Sequence, residues 1–380
     1  MKVLVLGAGM MGSAVAYDLA HSDGVSEVFL ADIDLERAQR MAAQAGENVS
    51  PLKLDLAYYD DVLKAMKGID VAVGATSYNH NYMLTEAAIA SHIHFCDLGG
   101  NMDVVYRQMS LNDKARKESV CILPNCGLAP GLACIVAAGA ARRFQSVDEI
   151  HLRVGGLPQH PLPPLNYQLV FSAEGLINEY IEPAEVIRNG VKKTVASLAD
   201  VESIDFPSPF GTLEAFNTSG GISTLPSLFA GKVRELDYKT IRYKGHAEKM
   251  KTLLDLGFAS SEPVTVGSAV LTAREYFEAM LRKRLPADGP DVVLMRVQLK
   301  GNMSGATKTL AYDMIDYYDT RLNMTSMMRT TAFPTSIAAQ LVVRGEVTTR
   351  GVIPPEQCIP LGPMLEELKK RNILLHETLS

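Results

Sequence analysis

Three glycines near the start of the chain have the spacing of a turn that holds a pyrophosphate. The stretch VLVLGAGMMG carries a G-x-G-x-x-G pattern between an apolar run, residues 2–6, and a helical stretch that begins at Ser13. In such a turn the first glycine allows the tight bend, the second admits the phosphates close to the backbone, and the third lets helix and strand pack closely. The helix N-terminus adds free N–H groups that attract anions. We therefore predict a dinucleotide-binding loop formed by Gly7, Gly9, Met10, Met11 and Gly12.

An acidic residue follows at the position where it would select the cofactor. Asp32 ends the second apolar strand, about 20 residues beyond Gly12, where a carboxylate accepts hydrogen bonds from the adenosine ribose. A carboxylate at this place repels a 2′-phosphate, and Asp34 lies two positions further along. The pattern therefore predicts NAD rather than NADP. We interpret Arg37 as a solvated charge on the following helix.

Further polar residues lie at the carboxyl ends of the next predicted strands, where ligands bind in open α/β sheets. Asp55 ends the third strand and is a candidate contact on the adenine side, and Thr76 follows the fourth strand. Asp97 and Leu98 end the fifth strand beside two glycines, which would admit a nicotinamide ring. All four are predicted to contact the cofactor, and Asp97 is also the candidate catalytic base. The weaker candidates for the base are His80, His151, His160 and His246.

The composition is that of an ordinary globular protein with a mild negative charge. The chain has 380 residues, a net charge of −6 and a pI near 5.8, so no basic field exists to attract nucleic acid. The five cysteines lack the spacing of a zinc or redox motif and lie among apolar neighbours. We expect buried thiols in a reducing cytoplasm. No set of histidine, cysteine and acidic residues has metal-ligand spacing, so no metal is expected.

Two apolar stretches resemble membrane-related segments but contain residues that argue against this. Glycines break the apolar run after Lys2, so we expect no signal peptide. The stretch 121–141 contains Pro124 and Pro130. It is therefore interpreted as a buried loop and helix rather than a membrane span.

The alternation of short apolar runs with helical stretches predicts an α/β protein with two domains. Residues 1–125 should form a doubly wound parallel sheet that contains the glycine pattern above. The helical segment 330–380 should complete this domain. Residues 126–329 should form a second, α+β domain with a mostly antiparallel sheet, in which a strand pair turns near Gly301 and Asn302. The cleft between the two domains is the expected active site.

Several segments beyond the glycine pattern identify a family. They are ATSYNHNYMLTEAAI (75–89), CDLGG (96–100), NCGLAPGLA (125–133), GGLPQHPLPPLNYQLVFSAEGLINEY (155–180), TIRYKGH (240–246) and RTTAFP (329–334). With these segments, which extend over nearly the whole chain, the sequence resembles the saccharopine dehydrogenase-like family, and most closely its bacterial lysine 6-dehydrogenase branch.

The resemblance implies an enzyme that oxidises a C–N bond of an amino acid. In the lysine 6-dehydrogenase branch the ε-amine of L-lysine is oxidised to allysine, which cyclises to piperideine-6-carboxylate. Saccharopine-forming relatives commonly have aspartate in G-L-D-P-G, where this chain has Ala129; this departure favours a simpler amine. The resemblance and the affinity of arginine for carboxylates together give a predicted substrate set of Tyr167, Asn217, Thr218, Thr240 and Arg242.

Other readings of the same residues stay open at this point. The substrate could be saccharopine, carboxynorspermidine or another amino-acid amine. A dinucleotide-binding sensor without turnover is the alternative from another functional class. By analogy, the second domain would make the protein a homodimer or a higher homo-oligomer.

Overall fold

The computed structural model of the chain describes residues 1–287 and 289–380, and these form two compact units. The first unit consists of Met1–Arg143, Ser223–Leu225 and Met328–Leu374. The second consists of Phe144–Ile222, Pro226–Met327 and Leu375–Ser380. The first unit thus includes most of the C-terminal segment, and its N-terminal stretch continues past residue 125 to Arg143.

The secondary structure alternates in the first part of the chain and is strand-rich in the second. In chain order the strands are β1 (Lys2–Leu6), β2 (Glu27–Asp32), β3 (Val49–Lys53), β4 (Val71–Gly74), β5 (His94–Asp97), β6 (Cys121–Leu123), β7 (Ser146–Pro158), β8 (Ala184–Arg188), β9 (Val191–Val195), β10 (Glu202–Phe206), β11 (Gly211–Asn217), β12 (Glu235–Arg242), β13 (Pro263–Val266), β14 (Ala269–Thr272), β15 (Asp291–Met303), β16 (Ala306–Tyr317), β17 (Gly351–Val352) and β18 (His376–Leu379). The helices are α1 (Met10–Ala20), α2 (Leu35–Ala45), α3 (Tyr59–Met66), α4 (Asn81–Ala90), α5 (Met102–Met109), α6 (Asn112–Lys117), α7 (Leu132–Ala141), α8 (Ala173–Ile181), α9 (Leu225–Phe229), α10 (His246–Asp255), α11 (Ala273–Arg284), α12 (Ser326–Val343), α13 (Pro355–Cys358) and α14 (Leu361–Lys370), with a short 3₁₀ helix at Tyr78–His80.

The first unit is built on a parallel sheet of seven strands in the order β3-β2-β1-β4-β5-β6-β17. The order reverses at β1, which is the switch point where doubly wound sheets bind ligands. Strand β4 and, after Lys2, strand β1 are apolar because both sheet faces are covered. The core includes Leu4, Leu84, Phe95 and Ile122, all of them fully buried. The predicted doubly wound fold is confirmed.

The segment between β5 and β6 forms two helices, since α5 ends at Met109 and α6 begins at Asn112. The first of them begins at Met102, and the side chain of Asn101 caps it by accepting a hydrogen bond of 3.1 Å from the Val104 amide.

The second unit is built on a mixed sheet with the path β10-β11-β12-β7-β15-β16-β18, and β8 and β9 pair beside β12. Only the β7–β12 pair on this path is parallel among the described residues. Apolar residues of α8, α10 and α11 form one core cluster with Phe216 of β11, so these helices cover one face of the sheet. The predicted second domain with a mostly antiparallel sheet is confirmed.

The turn between the long strands lies near Gly301 and Asn302, as predicted, but these two residues do not form it. Gly301 and Asn302 belong to β15, and the turn is formed by Ser304 and Gly305, which both have positive φ. Gly301 marks a register shift against β7, where an added Cβ would lie 2.2 Å from the carbonyl oxygen of Ser146. The glycine is needed for this close approach of two backbones, and not for the turn.

Most of the stretch 121–141 and four of the five cysteines are buried, as predicted. Within the described part of the chain, no helix is long and apolar enough to span a membrane. The stretch 121–141 is a strand, a loop and the buried helix α7. All five cysteines are free thiols; Cys358 is partly exposed and the other four are buried.

Candidate functional site

The glycine loop after β1 has the geometry that a dinucleotide requires. Gly7 has φ +106°, and a Cβ there would lie 2.6 Å from the carbonyl oxygen of Ala75. A Cβ on Gly12 would lie 1.8 Å from the carbonyl oxygen of Gly7. Both positions therefore exclude any side chain. Gly9 differs, since an added Cβ would meet no atom within 4 Å and would project into open space.

The N-terminus of α1 is free to bind an anion. Gly9 is its N-cap, no side chain caps it, and no acidic residue lies in its first turn. The first N–H groups of a helix have no partner within the helix, and here Met10 and Met11 carry them beside the open space at Gly9. Uncapped N–H groups next to a glycine backbone fit the pyrophosphate of a dinucleotide.

Asp32 lies at the end of β2 with its carboxylate held by three donors. Oδ2 accepts from the Ala8 amide at 2.7 Å, and Oδ1 accepts from the Asp34 amide at 2.9 Å and from Nη2 of Arg37 at 2.8 Å. Burial raises the pKa of Asp32, but the hydrogen bonds from Arg37 and the two amides together lower it by more. The pKa of Asp32 therefore lies below its usual value. Asp32 is therefore ionised and fixed next to the glycine loop. Arg37 is partly exposed, as expected for a solvated charge on α2, but it is also ion-paired with Asp32.

Two other predicted cofactor contacts lie at the same edge of the sheet. Thr76 follows β4, and its Cγ2 lies 3.0 Å from the position that a Cβ added to Gly7 would take. Asp55 follows β3, and its carboxylate accepts a hydrogen bond of 2.9 Å from the Ala57 amide. Both side chains are partly exposed, so the structure brings Thr76 to the glycine loop and leaves Asp55 open at the β3 end.

Asp97, the candidate base, is fully buried and its carboxylate has three donors. Oδ1 accepts from the amides of Gly99 at 2.8 Å and Asn125 at 3.2 Å, and Oδ2 accepts from Nε2 of Gln108 at 2.7 Å. Burial raises the pKa of Asp97 to about 6 against the effect of these donors. The contacts tie the end of β5 to the loops that follow β5 and β6. This geometry gives Asp97 the role of holding these loops, with Leu98 partly exposed beside it.

The predicted substrate residues of the second unit lie on two faces of its sheet. Thr240 and Arg242 alternate along β12 and point to the face that α8, α10 and α11 cover, together with Phe216 of β11, which pairs with Thr240. Asn217 pairs with Lys239 and points to the other face. There its Nδ2 donates to Asp200 at 2.9 Å, and its Oδ1 is buried without a partner. The structure therefore separates Asn217 from Arg242.

Arg242 is a buried cation held by neutral groups. It is 3% exposed, its Nε donates to the Tyr180 hydroxyl at 3.1 Å, and its Nη1 donates to the Ile241 carbonyl at 2.9 Å. Its guanidinium lies 4.8 Å from the centroid of the Tyr167 ring. No acidic oxygen lies within 4.0 Å of it in the described part of the chain. A buried charge without a counter-ion is costly, so the site is suited to an anionic ligand.

A relay of hydrogen bonds sets the direction of Arg242. Nδ1 of His246 lies 3.0 Å from the Leu165 carbonyl, and Nε2 lies 3.0 Å from the Tyr180 hydroxyl. Burial, and then the Arg242 charge, lower the pKa of His246 to about 3, so its ring is neutral. A carbonyl can only accept, so Nδ1 donates to it and Nε2 accepts from Tyr180. The tyrosine oxygen is then left as an acceptor for Arg242.

Tyr167 adds an unpaired hydroxyl to this cluster. It is 2% exposed, and its hydroxyl has no hydrogen-bond partner among the described residues. Burial raises the pKa of Tyr167 well above its usual value, while the Arg242 charge opposes this shift. A buried hydroxyl without a partner costs free energy. The unpaired donor beside an unpaired cation is the arrangement that a carboxylate would complete.

Glu179 of α8 is a functional candidate that sequence reasoning missed. Its carbonyl oxygen accepts from the Ser219 amide at 3.1 Å, and the next residue, Tyr180, contacts Arg242. Burial raises the pKa of Glu179 to about 7, the Arg242 charge lowers it, and Glu182 raises it. No residue near it in the sequence marks it as special; only the packing of α8 against β12 brings it to Arg242.

Thr218 and Thr240 complete the polar part of this cluster. Their hydroxyl oxygens lie 2.7 Å apart, and both residues are buried. Gly221, in the same loop as Thr218, lies against the ring of Tyr238, where an added Cβ would come within 2.3 Å. The predicted residues Tyr167, Thr218, Thr240 and Arg242 therefore lie in one unit on one side of its sheet.

Two family descriptions together match most of the chain. "Saccharopine dehydrogenase NADP binding domain" matches residues 3–123, and "Saccharopine dehydrogenase C-terminal domain" matches residues 127–374. The chain belongs to the saccharopine dehydrogenase family. Its residues 3–123 are therefore a nicotinamide dinucleotide-binding domain, as the glycine loop predicts. The family description names NADP, whereas an acidic residue at Asp32 favours NAD.

Two known proteins resemble the chain at low identity over nearly its whole length. The chain is 21% identical to the mitochondrial alpha-aminoadipic semialdehyde synthase of Bos taurus over an alignment of 455 residues, gaps included. This alignment covers 98% of this chain and 47% of that protein. The chain thus spans about half the length of this relative. It is 21% identical over 403 residues to the carboxyaminopropylagmatine dehydrogenase of Synechocystis, covering 100% of this chain and 98% of that protein.

A solved family structure has the same fold. The saccharopine dehydrogenase (L-Glu forming) of Saccharomyces cerevisiae superimposes with a TM-score of 0.82 at 20% identity, covering 100% of this chain and 99% of that chain. This likeness identifies the fold of both units. The chemistry at Arg242 and at the glycine loop has to be argued from the residues themselves.

Proposed function

We propose that this chain is an NAD-dependent oxidoreductase that oxidises the ε-amino group of L-lysine. The reaction converts the L-lysine cation, NAD⁺ and water into allysine, an ammonium ion, NADH and a proton, and allysine then cyclises with loss of water. The observation that carries the proposal is the buried Arg242 guanidinium, which lacks an acidic partner within 4.0 Å among the described residues. The α-carboxylate of an amino acid would supply that partner through the planar donors of the guanidinium.

The residues around Arg242 support an amino acid as the ligand. The Tyr180 relay holds the guanidinium, and the unpaired Tyr167 hydroxyl can donate to the same carboxylate. Glu179 is the acidic group of this cluster, and above its raised pKa of about 7 it would carry the charge that an α-ammonium requires. Glu179 and Arg242 form no ion pair with each other, and in the proposal an α-amino acid binds with each of its charges opposite the complementary one.

The first unit supplies the cofactor part of the proposal. The glycine loop and the N-terminus of α1 would hold the pyrophosphate, and Asp32 would accept from the adenosine ribose. When bound, the nicotinamide ring accepts the hydride from the carbon that carries the amine. The chain has to bind that amine in its neutral form, although its unperturbed pKa of about 10.4 keeps it protonated in water. Burial favours the neutral form because it removes water from the charged ammonium.

A secondary amine is the second candidate substrate. It is favoured by the activities named for the relatives, which include a saccharopine dehydrogenase and a carboxyaminopropylagmatine dehydrogenase. Ala129 favours lysine over saccharopine, because it replaces the acidic residue that is common in saccharopine-forming relatives. A substrate panel separates the two.

The test is an assay of the purified chain with NAD and amino acids at alkaline pH, followed by NADH absorbance. A rise with L-lysine that is absent with saccharopine supports the proposal. A rise only with a secondary amine would replace lysine by that substrate. If NAD binds but no amine is oxidised, the chain is better described as a dinucleotide-binding sensor.

Arg242 is tested by the variants Arg242→Ala and Arg242→Lys. Loss of a charge-assisted bond to a carboxylate costs about 1.5–3 kcal/mol, so the KM for lysine should rise about 10- to 100-fold. The KM for NAD is the internal control and should change little, since Arg242 belongs to the second unit. Lysine keeps the charge but loses the planar fork, so Arg242→Lys should recover only part of the loss. An unchanged KM for lysine in Arg242→Ala would remove this residue from the site.

A further inference from the structure

A cavity of about 550 Å³ in the first unit is formed by residues outside the predicted dinucleotide site. Its walls come from α3, α4, α6 and the turns before β5 and β6, which contain His92 and Glu118. These turns lead into the amino ends of β5 and β6, whereas the glycine loop follows the carboxyl end of β1. Because these strands run parallel in one sheet, the two turns lie at the opposite edge of the sheet from the glycine loop.

The size and the apolar part of the cavity suit a small organic ligand. Pockets for such ligands usually enclose about 300–1,000 Å³ and are mostly apolar. Ile89 and Leu111 line the cavity and are only 7% and 3% exposed, so they form its buried part. Tyr59 adds a partly exposed aromatic ring. These three side chains would cover the apolar body of a ligand.

The charged side chains around this apolar part have both signs, and three of them are unpaired. Lys114 and Lys117 are three residues apart, so they lie on one face of α6. Both are exposed and line the cavity, as does Glu86 of α4. Within the described part of the chain, none of these three has an ion-pair partner within 4.0 Å. The carboxylate of Glu118, in contrast, lies 3.1 Å from Nδ1 of His92.

The unpaired charges define the chemistry of the ligand. Lys114 and Lys117 together attract an anionic group, and the Glu86 carboxylate attracts a cationic one. Glu86 lies near the phenol of Tyr59, because burial and then the Glu86 charge raise the pKa of that phenol above its usual value. A molecule with a carboxylate, an ammonium and an apolar group would satisfy the whole lining. An α-amino acid with an apolar side chain has these three groups.

We propose that this cavity is a second amino-acid site, which binds the zwitterion of an α-amino acid with an apolar side chain. The carboxylate lies against Lys114 and Lys117, the ammonium lies against Glu86, and the side chain packs on Ile89 and Leu111. The site does not depend on the proposed function, because it uses no residue of the substrate cluster in the second unit and none of the glycine loop.

The experiment is calorimetric titration of the full chain with L-leucine, isocaproate and isopentylamine. The last two keep the apolar group of leucine but lack the ammonium and the carboxylate, respectively. L-leucine should bind, and each of the other two should bind more weakly. The double variant Lys114→Ala/Lys117→Ala should weaken L-leucine at least about fivefold, as expected for the loss of two exposed charge pairs. No binding of L-leucine to the wild-type protein would overturn the proposal and leave the lysine oxidation assay untouched.

Ala90→Trp tests the cavity without changing a charge. Ala90 lines the cavity and is exposed at the end of α4, so the indole should fill the space and abolish L-leucine binding. Oxidation of lysine in the absence of leucine should be unchanged, which shows that the variant is folded. Unaltered L-leucine binding in a folded Ala90→Trp protein would overturn the proposal.

Two controls separate this cavity from other sites for leucine. Arg116→Ala removes an exposed charge of α6 that does not line the cavity, so it should leave the L-leucine affinity nearly unchanged. An equal loss in Arg116→Ala and in the double lysine variant would indicate a general charge effect and overturn the proposal. Arg242→Ala should retain L-leucine binding. Loss of binding in Arg242→Ala, with retention in the double lysine variant, would assign leucine to the substrate cluster instead.

Discussion

Nε of Arg242 donates a hydrogen bond of 3.1 Å to the hydroxyl of Tyr180. The hydroxyl cannot reverse its role, because its proton is directed to the neutral ring of His246 at 3.0 Å. The arginine is therefore held by a neutral acceptor and keeps its positive charge available. An ion pair in the same place would have held the side chain equally well but would have cancelled the charge that a substrate carboxylate needs.

Tyr180 and Tyr167 should respond differently to removal of the hydroxyl. Tyr180→Phe leaves both Nε of Arg242 and Nε2 of His246 without a partner, so the free energy of unfolding should fall by about 1–3 kcal/mol. Tyr167→Phe removes a hydroxyl that has no partner, so the stability should be unchanged or slightly higher. Both variants should raise the KM for lysine. Chemical denaturation checks the contrast, and equal losses of stability would contradict the relay.

Gly9 and Gly12 should also separate ligand binding from folding. Gly9→Ala places a methyl group in open space at a helix N-cap, so the loss of stability should be about 1 kcal/mol or less. Its NAD affinity should nevertheless fall, because the methyl group meets the pyrophosphate. Gly12→Ala places Cβ 1.8 Å from the Gly7 carbonyl and should destabilise the protein without ligand. Thermal unfolding with and without NAD measures both effects; a stable Gly12→Ala protein would contradict the packing described here.

Asp97→Asn distinguishes a loop-holding residue from a catalytic base. Loss of a general base typically lowers the rate by about 10²–10⁴-fold. Asparagine can still accept through Oδ1 from the Gly99 and Asn125 amides, but its amide group opposes Nε2 of Gln108. We therefore expect lower stability and a fall in kcat of less than about tenfold. A much larger fall in a folded variant would restore Asp97 as the base.

The pH dependence of stability should carry the same information about Asp97. Burial raises its pKa from 3.8 to about 6, so between these values the folded protein binds more protons than the unfolded chain. The contribution of protonated Asp97 to the free energy of unfolding is therefore present at low pH and is lost as the pH rises through about 6. Asp97→Asn should abolish this component. Denaturation between pH 4 and pH 7 checks it, and a matching slope in the variant would place the titration on another group.

The sequence predicts those features that depend on neighbouring residues. The apolar runs, the glycine loop and Asp32 follow local patterns, and the structure has them where they were expected. The pairing of Arg37 with Asp32 depends on a side-chain rotamer of α2, which no local pattern encodes. Asn217 was grouped with Arg242 on the family resemblance alone, but the register of β11 against β12 directs them to opposite faces. Glu179 was missed because only helix packing brings it to Arg242.

Glu179 should make lysine binding depend on pH. Its pKa is raised from 4.5 to about 7, mainly by burial, so without ligand it becomes ionised as the pH rises through about 7. An α-ammonium needs the ionised form, so the dissociation constant for lysine should fall over this range. The charged and titratable groups facing Glu179 are Arg242, Tyr167, Tyr180 and Glu182. Burial raises the pKa of both tyrosines above their usual values and Arg242 stays charged, so these three do not titrate near pH 7.

Glu179→Gln is the variant that isolates this effect, and Glu182→Gln is its control on the adjacent acidic residue. Calorimetric titration of lysine between pH 5.5 and pH 8.5 should give a steep improvement in wild type and in Glu182→Gln. In Glu179→Gln the affinity should be weak and nearly flat over the same range. The analogue 6-aminohexanoate lacks the α-ammonium and has no group for Glu179 to bind. It should therefore bind the wild-type protein and the Glu179→Gln variant equally. A pH profile for lysine that stays the same in Glu179→Gln would assign the ammonium to another partner and leave Arg242 as the only charged contact of the substrate.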